Sequence, residues 1–407
     1  MLRHFDAARD REASRRIWQE TGWISPGKED IVDAWVDAGR TMVSELNGEA
    51  ECMVCTAPGT VTIQHSNLPA SLVTGVTTSR VARKQGLALR TTAHTIAEDV
   101  EAGAIVASLG IFDQGFYNKL GFGTGGYEHE VTFDPQQIHV PGSHRVPSRI
   151  TLKDSSAVHA ARLRRPAHHG QCTVHPEVGS WGHMREGETG FGLGYRDEQT
   201  GEITHHFWCR ARGERGPYRI EWFVYHTPEQ FRELMSIMRS FGDQVRAVRM
   251  REPAGVLIQD VMEQPFKQAQ ISAKGDFSAG ISTRAAFQYR ICNVPACVAA
   301  LRLPGTVLKF NLELSDPIEK YLHGREGWNG VAGSYVVQLG EICSAEPGTE
   351  PGLPTLKTGV GPFTRLWMGV RPSTGLAHTE HLEATPGLLA ELDNAIRLPV
   401  PVNDWDY

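Results

Sequence analysis

The chain has 407 residues, 40% of them apolar and 22% charged, with a formal net charge of −6. That length favours two or three domains over a single core, and the composition is that of an ordinary globular protein. The acidic balance argues against a general nucleic-acid binder, which would be basic. The longest apolar run, residues 103–112, is strand-sized and far short of the roughly 18 residues a membrane span needs. The N-terminal residues MLRHFDAARDREASRRIW are charged throughout and lack a signal peptide's apolar stretch. Seven cysteines, odd in number and scattered, suggest reduced thiols in a cytoplasmic protein.

In chain order, residues 7–20 predict an amphipathic helix with Ala8, Ala13, Ile17 and Trp18 on one face. After the Pro26-Gly27 break, residues 31–46 read as helix at first and then lose the pattern. Residues 53–63 hold two β-prone pieces around Pro58-Gly59, a hairpin signal. An apolar strand at 72–77 leads to a turn holding Arg83, Gly86 and Ala88, then a helical pattern from Leu87 to about Val100. The second apolar run, 103–112, then feeds a short segment with Phe116 and Tyr117. Strand, glycine turn, helix and strand in that order present backbone N–H groups and a helix N-terminus to a phosphate.

Residues 127–133 alternate like a half-buried strand, and three prolines and a glycine in 134–149 mark a first boundary. A helix with a serine cap is predicted over 155–164, and strands over 191–195 and 202–211. Residues 218–225, 227–241 and 244–250 then repeat the strand–helix–strand order, with Thr227 as N-cap and Pro228 at the first helical position. Where the first unit reads RKQGLA, the second reads HTPEQF, so the repeat lacks the phosphate cradle. Beyond residue 280 the pattern gives a helix at 293–301, strands at 305–314 and 333–339, a strand or helix at 361–369 and a helix at 387–396. Pro399 and Pro401 keep the tail LPVPVNDWDY irregular, but Val402, Trp405 and Tyr407 give it apolar surface with which to dock.

The turn Arg83-Lys84-Gln85-Gly86-Leu87-Ala88 fits a pattern of Arg or Gln, two residues, Gly, one residue, then Gly or Ala. With the flanking strands and Phe116-Tyr117 before Gly121-Phe122, it resembles the GNAT acetyltransferases. The whole chain resembles the Eis-like branch of that family. The resemblance implies an α/β (α+β) fold: two tandem GNAT-like domains, then a sterol-carrier-protein-2-like domain. The expected bounds are 1–144, 145–284 and 285–407, the second domain being degenerate.

It also implies an enzyme: an acetyl-CoA-dependent N-acetyltransferase acting on an amine of a cationic acceptor, by direct attack on the thioester. Aminoglycosides, polyamines and lysine side chains are the acceptor classes. By position, Val76, Thr77 and Thr78 would hold the pantetheine arm through backbone contacts. Lys84, Gln85, Gly86, Leu87, Ala88 and Leu89 would cradle the pyrophosphate, with Arg83 adding charge. Phe112 and Asp113 would sit beside the thioester. Tyr117 matches the family's general acid. The main-chain carboxylate of Tyr407 matches its general base, although the family favours a terminal Phe. A homohexamer, no metal, no nucleic acid and no membrane are further expectations. The alternatives are a non-catalytic acyl-CoA sensor and a lipid-binding protein acting through the third domain.

Other motifs read more plainly. Cys52-x-x-Cys55 falls on a strand whose residues i and i+3 face opposite ways, so two separate thiols are expected. Cys172-x-x-His175 with His168 and His169 fits no common zinc spacing. His205-His206 should place one ring inward and one outward. Glu29, Asp30 and Trp35, with Asp404 and Asp406, form either an acidic, aromatic acceptor wall or a solvated helix face with one core Trp.

Overall fold

The computed structural model describes residues 1–187, 189–264 and 278–407. The chain opens with β1 (Leu2–His4), α1 (Ala7–Thr21), α2 (Glu29–Ala38), β2 (Arg40–Leu46), β3 (Glu49–Ile63) and β4 (Ser66–Thr78). Then come α3 (Leu87–Glu101), β5 (Val106–Gly110), α4 (Gln114–Asn118) and β6 (Gly123–Thr124). Helix α1 starts where the Asp6 side chain accepts from Ala8 N and stops at Gly22 in the left-handed region, φ 76°. Its buried face carries Ile17 and Trp18. The ambiguous stretch 31–46 resolves into α2, a break at Gly39 and β2.

The expected hairpin at Pro58-Gly59 does not form there. Both residues lie inside β3, opposite Ser71 and Ala70 of β4, and the turn comes later at Gln64-His65, closing on the Ile63–Ser66 pair. Gln64 takes the left-handed backbone, φ 53°. Pairing of β3 with β2 ends at Thr56, so Pro58 interrupts no ladder on that side. The freed edge of β3 instead takes the strand Cys172–Val174.

Strand pairing gathers distant sequence. The sheet runs β1-β2-β3-β4-β5, then the strand Phe287–Ile291, then β6. Residues 287–291 pair antiparallel with β5 from Phe287–Gly110 to Ile291–Val106. One compact unit therefore comprises residues 1–126, 168–176 and 285–407, and the other 127–167 and 177–284. In the first unit, Leu89, Ala93, Ile96 and Ala97 of α3 pack with Val73, Ala107 and Leu109.

A buried ion pair holds this unit's strands to its later loops. Arg290 and Asp316 have fully buried side chains, with Nη2 and Oδ2 at 2.5 Å. Arg290 Nη1 donates to the Leu120 carbonyl, and Asp316 accepts from Val331 N at 2.9 Å and Ile318 N at 3.2 Å. The indole of Trp328 lies 5.3 Å from the guanidinium carbon. Farther on, a five-stranded sheet runs in the order Ser344–Pro347, Gly333–Leu339, Leu308–Ser315, Thr355–Gly359 and Leu382–Glu383. Residues 360–367 are a helix, and Trp367 donates its indole N–H to the Cys297 carbonyl at 2.8 Å.

The second unit has a seven-stranded sheet whose inner strands include Ile203–Ala211, Tyr218–Val224 and Val248–Arg251. The last two are parallel, from Tyr218–Val248 to Ile220–Met250, joined by the helix Pro228–Ser240. Phe231, Leu234, Met235 and Met238 of that helix pack on Phe207, Val248 and Met250. The serine-capped helix expected at 155–164 is instead led by a 3-10 turn with a Thr151–Asp154 capping box, because Ser155 Oγ donates to Glu177 at 2.8 Å. The inward–outward expectation for His205-His206 also fails: both rings are buried, because both faces of this sheet are covered. His205 Nε2 sits 3.0 Å from Glu233 Oε2, and His206 Nε2 accepts from Trp222 Nε1 at 3.1 Å. Burial pushes His206 down to about 3, so it is neutral at neutral pH.

Two outcomes are expected. Asp316→Ala strands the buried Arg290 charge and lowers unfolding free energy by about 3–5 kcal/mol in urea titration. Hydrogen bonding to Arg145 holds Glu233 at about 2, below its ordinary 4.5. Its stabilisation is therefore present above pH 4.5 and lost as pH falls towards about 2. Urea midpoints measured against pH should show Glu233→Gln flattening that acid limb.

Candidate active site

The site begins where β4 and β5 part. They pair in parallel only from Ala70–Val106 to Val73–Leu109. Beyond that point β4 continues to Thr78 with β3 alone, while β5 ends at Gly110 against Phe287. Residues 74–78 thus offer a strand edge on the side that β5 has left. A bulge falls here: Cys55 faces Thr74 while Met53 faces Thr77, which leaves one extra residue in β4. Gly75 absorbs it at φ 57°, and a Cβ there would lie 3.0 Å from the Trp18 ring and 3.2 Å from Cys55 Cβ. Around it Val76 is half-buried, Thr77 is buried with Oγ1 donating to the Gly75 carbonyl at 3.3 Å, and Thr78 Oγ1 donates to Cys52 Sγ at 3.4 Å.

The turn after β4 is exposed from Arg83 to Gly86. Lys84 and Gly86 both take left-handed backbone, φ 65° and 75°, and α3 starts at Leu87. Among the described residues no side chain caps this 15-residue helix. Its first N–H groups and the positive end of its dipole are left for an anion, with Arg83 and Lys84 beside them. Leu87 and Ala88 are half-buried, and Leu89 anchors the first turn in the core.

Past β5, Phe112 is 88% exposed, and Asp113 caps α4 by accepting from Phe116 N at 3.2 Å. Tyr117 is buried in that helix, edge-on to Phe116 at 4.9 Å. Burial, and then the nearby Asp113 carboxylate, push its phenol well above the ordinary value. No hydrogen bond contributes to that shift. A phenol held in its protonated form has a proton to give.

The chain end is docked rather than frayed. Trp405 is fully buried, Val402 N donates to the His169 carbonyl at 3.1 Å, and Cys172 N donates to the Asn403 carbonyl at 2.9 Å. Tyr407 places its hydroxyl 2.7 Å from Ser108 Oγ on β5, its ring centroid 5.8 Å from that of Phe287. Ala107 and Leu109 share a core with Tyr117, so Ser108 points to the opposite face of β5.

The remaining candidates separate from this site. Trp35 is a buried core residue, so its indole is closed to an acceptor. Glu29 accepts from Gln19 Nε2 at 2.6 Å and Gly27 N at 3.1 Å. Cys52 and Cys55 are both buried, and burial raises both thiols, Cys55 to about 12. His168 and His169 hold backbone carbonyls of Val402 and Met368. Among the described residues no group of three or more His, Cys, Asp or Glu is arranged to hold a metal ion. Sequence reasoning missed Ser108, Phe287 and the Gly75 bulge. A glycine inside an apolar strand was the available signal for the last.

Residues 9–125 match the family model of the acetyltransferase (GNAT) domain. The chain thus carries an acetyltransferase (GNAT) domain over those residues, which supports an enzyme of the acyltransferase kind. No curated protein matches the sequence. Among solved structures, a probable N-acyltransferase from Enterococcus faecalis aligns with a TM-score of 0.79 at 15% identity, covering 100% of this chain and 99% of its own. Eis1 from Mycobacterium abscessus gives 0.76 at 14% identity and covers 100% of both chains. A GCN5-related N-acetyltransferase from Kribbella flavida gives 0.74 at 18%, covering 98% and 97%. At such identities these likenesses speak for the fold.

Gly75→Ala should be felt at the bulge. Left-handed strain of about 1–2 kcal/mol adds to the contact with Trp18, and thermal unfolding should shift down by several degrees.

Proposed function

We propose that the protein transfers an acetyl group from acetyl-CoA to an amine of a cationic acceptor, by direct attack of the amine on the thioester. The observation that carries this reading is Tyr117: a buried phenol held protonated, on the helix that follows the parting of β4 and β5. The β4 edge at Val76, Thr77 and Thr78 would hold the pantetheine arm through backbone hydrogen bonds. Residues Arg83 to Leu89 would hold the pyrophosphate on the uncapped start of α3. Phe112 and Asp113 would flank the thioester. Tyr117 would give its proton to the departing thiolate, and the main-chain carboxylate of Tyr407 would take one from the attacking amine. Acid and base would then approach β5 from opposite faces.

The wider architecture in this reading is two GNAT-like domains and a sterol-carrier-protein-like domain, with expected bounds 1–144, 145–284 and 285–407, assembled as a hexamer in the cytoplasm. The parallel strand–helix–strand at 218–251 supports a second, degenerate domain, because Thr227 caps that helix where the first leaves Gly86 bare. A non-catalytic sensor would have no use for the protonated Tyr117. The lipid-binding alternative draws no support from residues 285–407, where Phe310, Leu312, Leu356, Trp367 and Leu392 fill the interior.

Thiol release from acetyl-CoA is the test, run against aminoglycosides, polyamines and lysine peptides. Release with one class identifies the acceptor, while tight acetyl-CoA binding with no release from any class would favour the sensor. Tyr117→Phe should bind acetyl-CoA as the wild type does in calorimetry and lose about 10²–10⁴-fold in turnover. Deleting Tyr407 should lower turnover far more than acetyl-CoA affinity; equal turnover would remove the terminal carboxylate from the mechanism.

A further inference from the structure

We propose that Ser108 is a positioning residue: its hydrogen bond from the Tyr407 phenol locks the last residue in place and so fixes where the main-chain carboxylate stands. The role of that carboxylate rests on the function proposed above; the lock itself does not. A chain end is the least constrained part of most folds.

Here the side chain has a rigid partner. Ser108 is fully buried in β5, a strand held by β4 on one side and by 287–291 on the other. The Tyr407 hydroxyl donates to Ser108 Oγ at 2.7 Å, and its ring lies against Phe287. Four residues earlier, Asn403 Nδ2 donates to the Tyr289 hydroxyl at 3.1 Å, tying the same tail to the same neighbouring strand. A planar ring pinned at its far end and along its face leaves little freedom to the Cα at its near end. Tyr407 as a whole keeps part of its surface exposed.

The arrangement gives the two proposed proton-handling groups one frame of reference. Ser108 and Asp113, the cap of the Tyr117 helix, are a few residues apart on one continuous stretch. A terminal Phe, favoured among the Eis-like enzymes, would fill the same space without the bond and leave the buried Ser108 hydroxyl without its partner. The Tyr at 407 and the Ser at 108 thus belong together in this chain.

The test is a double-substitution cycle: Ser108→Ala, Tyr407→Phe and both together, with Ser108→Thr as the conservative variant. Carboxypeptidase A release of residue 407, followed by mass spectrometry on the folded full-length chain, reads the lock without any acceptor. Each single variant should release its last residue about five- to tenfold faster, the weight of one buried hydrogen bond. The double variant should fall well short of the product of the two, because neither polar group is then left alone. Turnover with the panel amine that the wild type acetylates fastest should fall by a similar factor in the singles, with KM for acetyl-CoA unchanged. Ser108→Thr should recover both readouts. Release rates equal to wild type in both singles would overturn the lock. Faster release with unchanged turnover would overturn its positioning role, and activity retained on deleting Tyr407 would instead overturn the carboxylate reading.

Discussion

The ion pair between Arg290 and Asp316 is the contact on which the first unit most depends. Two charges with no exposure to water are stable only if almost every polar atom is met. Here the guanidinium meets a carboxylate, the Leu120 carbonyl and the face of Trp328, and the carboxylate meets two backbone N–H groups. The partners come from the strand beside β5, from the turn that closes the Tyr117 helix and from the segment 316–331. The cost of stranding either charge binds these three pieces together. Residues nearly two hundred positions beyond Tyr117 thereby decide where its helix sits.

The second constraint is the end of a helix. Both units contain a parallel strand–helix–strand, and their helices begin in opposite ways. Thr227 satisfies its own helix, accepting from Gln230 N, and Pro228 removes a further donor. Gly86 does neither, and left-handed backbone at Lys84 and Gly86 turns the loop so that the first N–H groups stay available. One helix is closed by its own residues; the other keeps an unmet demand that an anion can answer.

Much of the proposed site could be named from sequence because it is local. The proposed cradle lies within a dozen residues of continuous chain, and a glycine before an apolar helical pattern has few physical readings. Tyr117 follows at short range on the next helix. The elements that misled were those whose partners are remote. Pro58-Gly59 read as a turn, but the pairing of β3 continues through it because β4 and residues 172–174 line its sides. His205-His206 read as one face in and one out, but helices cover both faces of that sheet. Trp35 read equally well as an acceptor wall or as core, and burial decided for core.

Sequence alone was enough to set the periodicities, the turn at 83–88, the uncapped start of α3 and the irregular, apolar tail. These follow from side-chain spacing and from what Gly and Pro permit the backbone to do. Only the tertiary structure decided that residues 287–291 complete the sheet of residues 1–126, that β4 and β5 part after Val73, and that Tyr407 returns to Ser108. Strand pairing and buried hydrogen bonds join groups hundreds of residues apart, and no local pattern encodes which distant partner a strand edge or a buried hydroxyl will find.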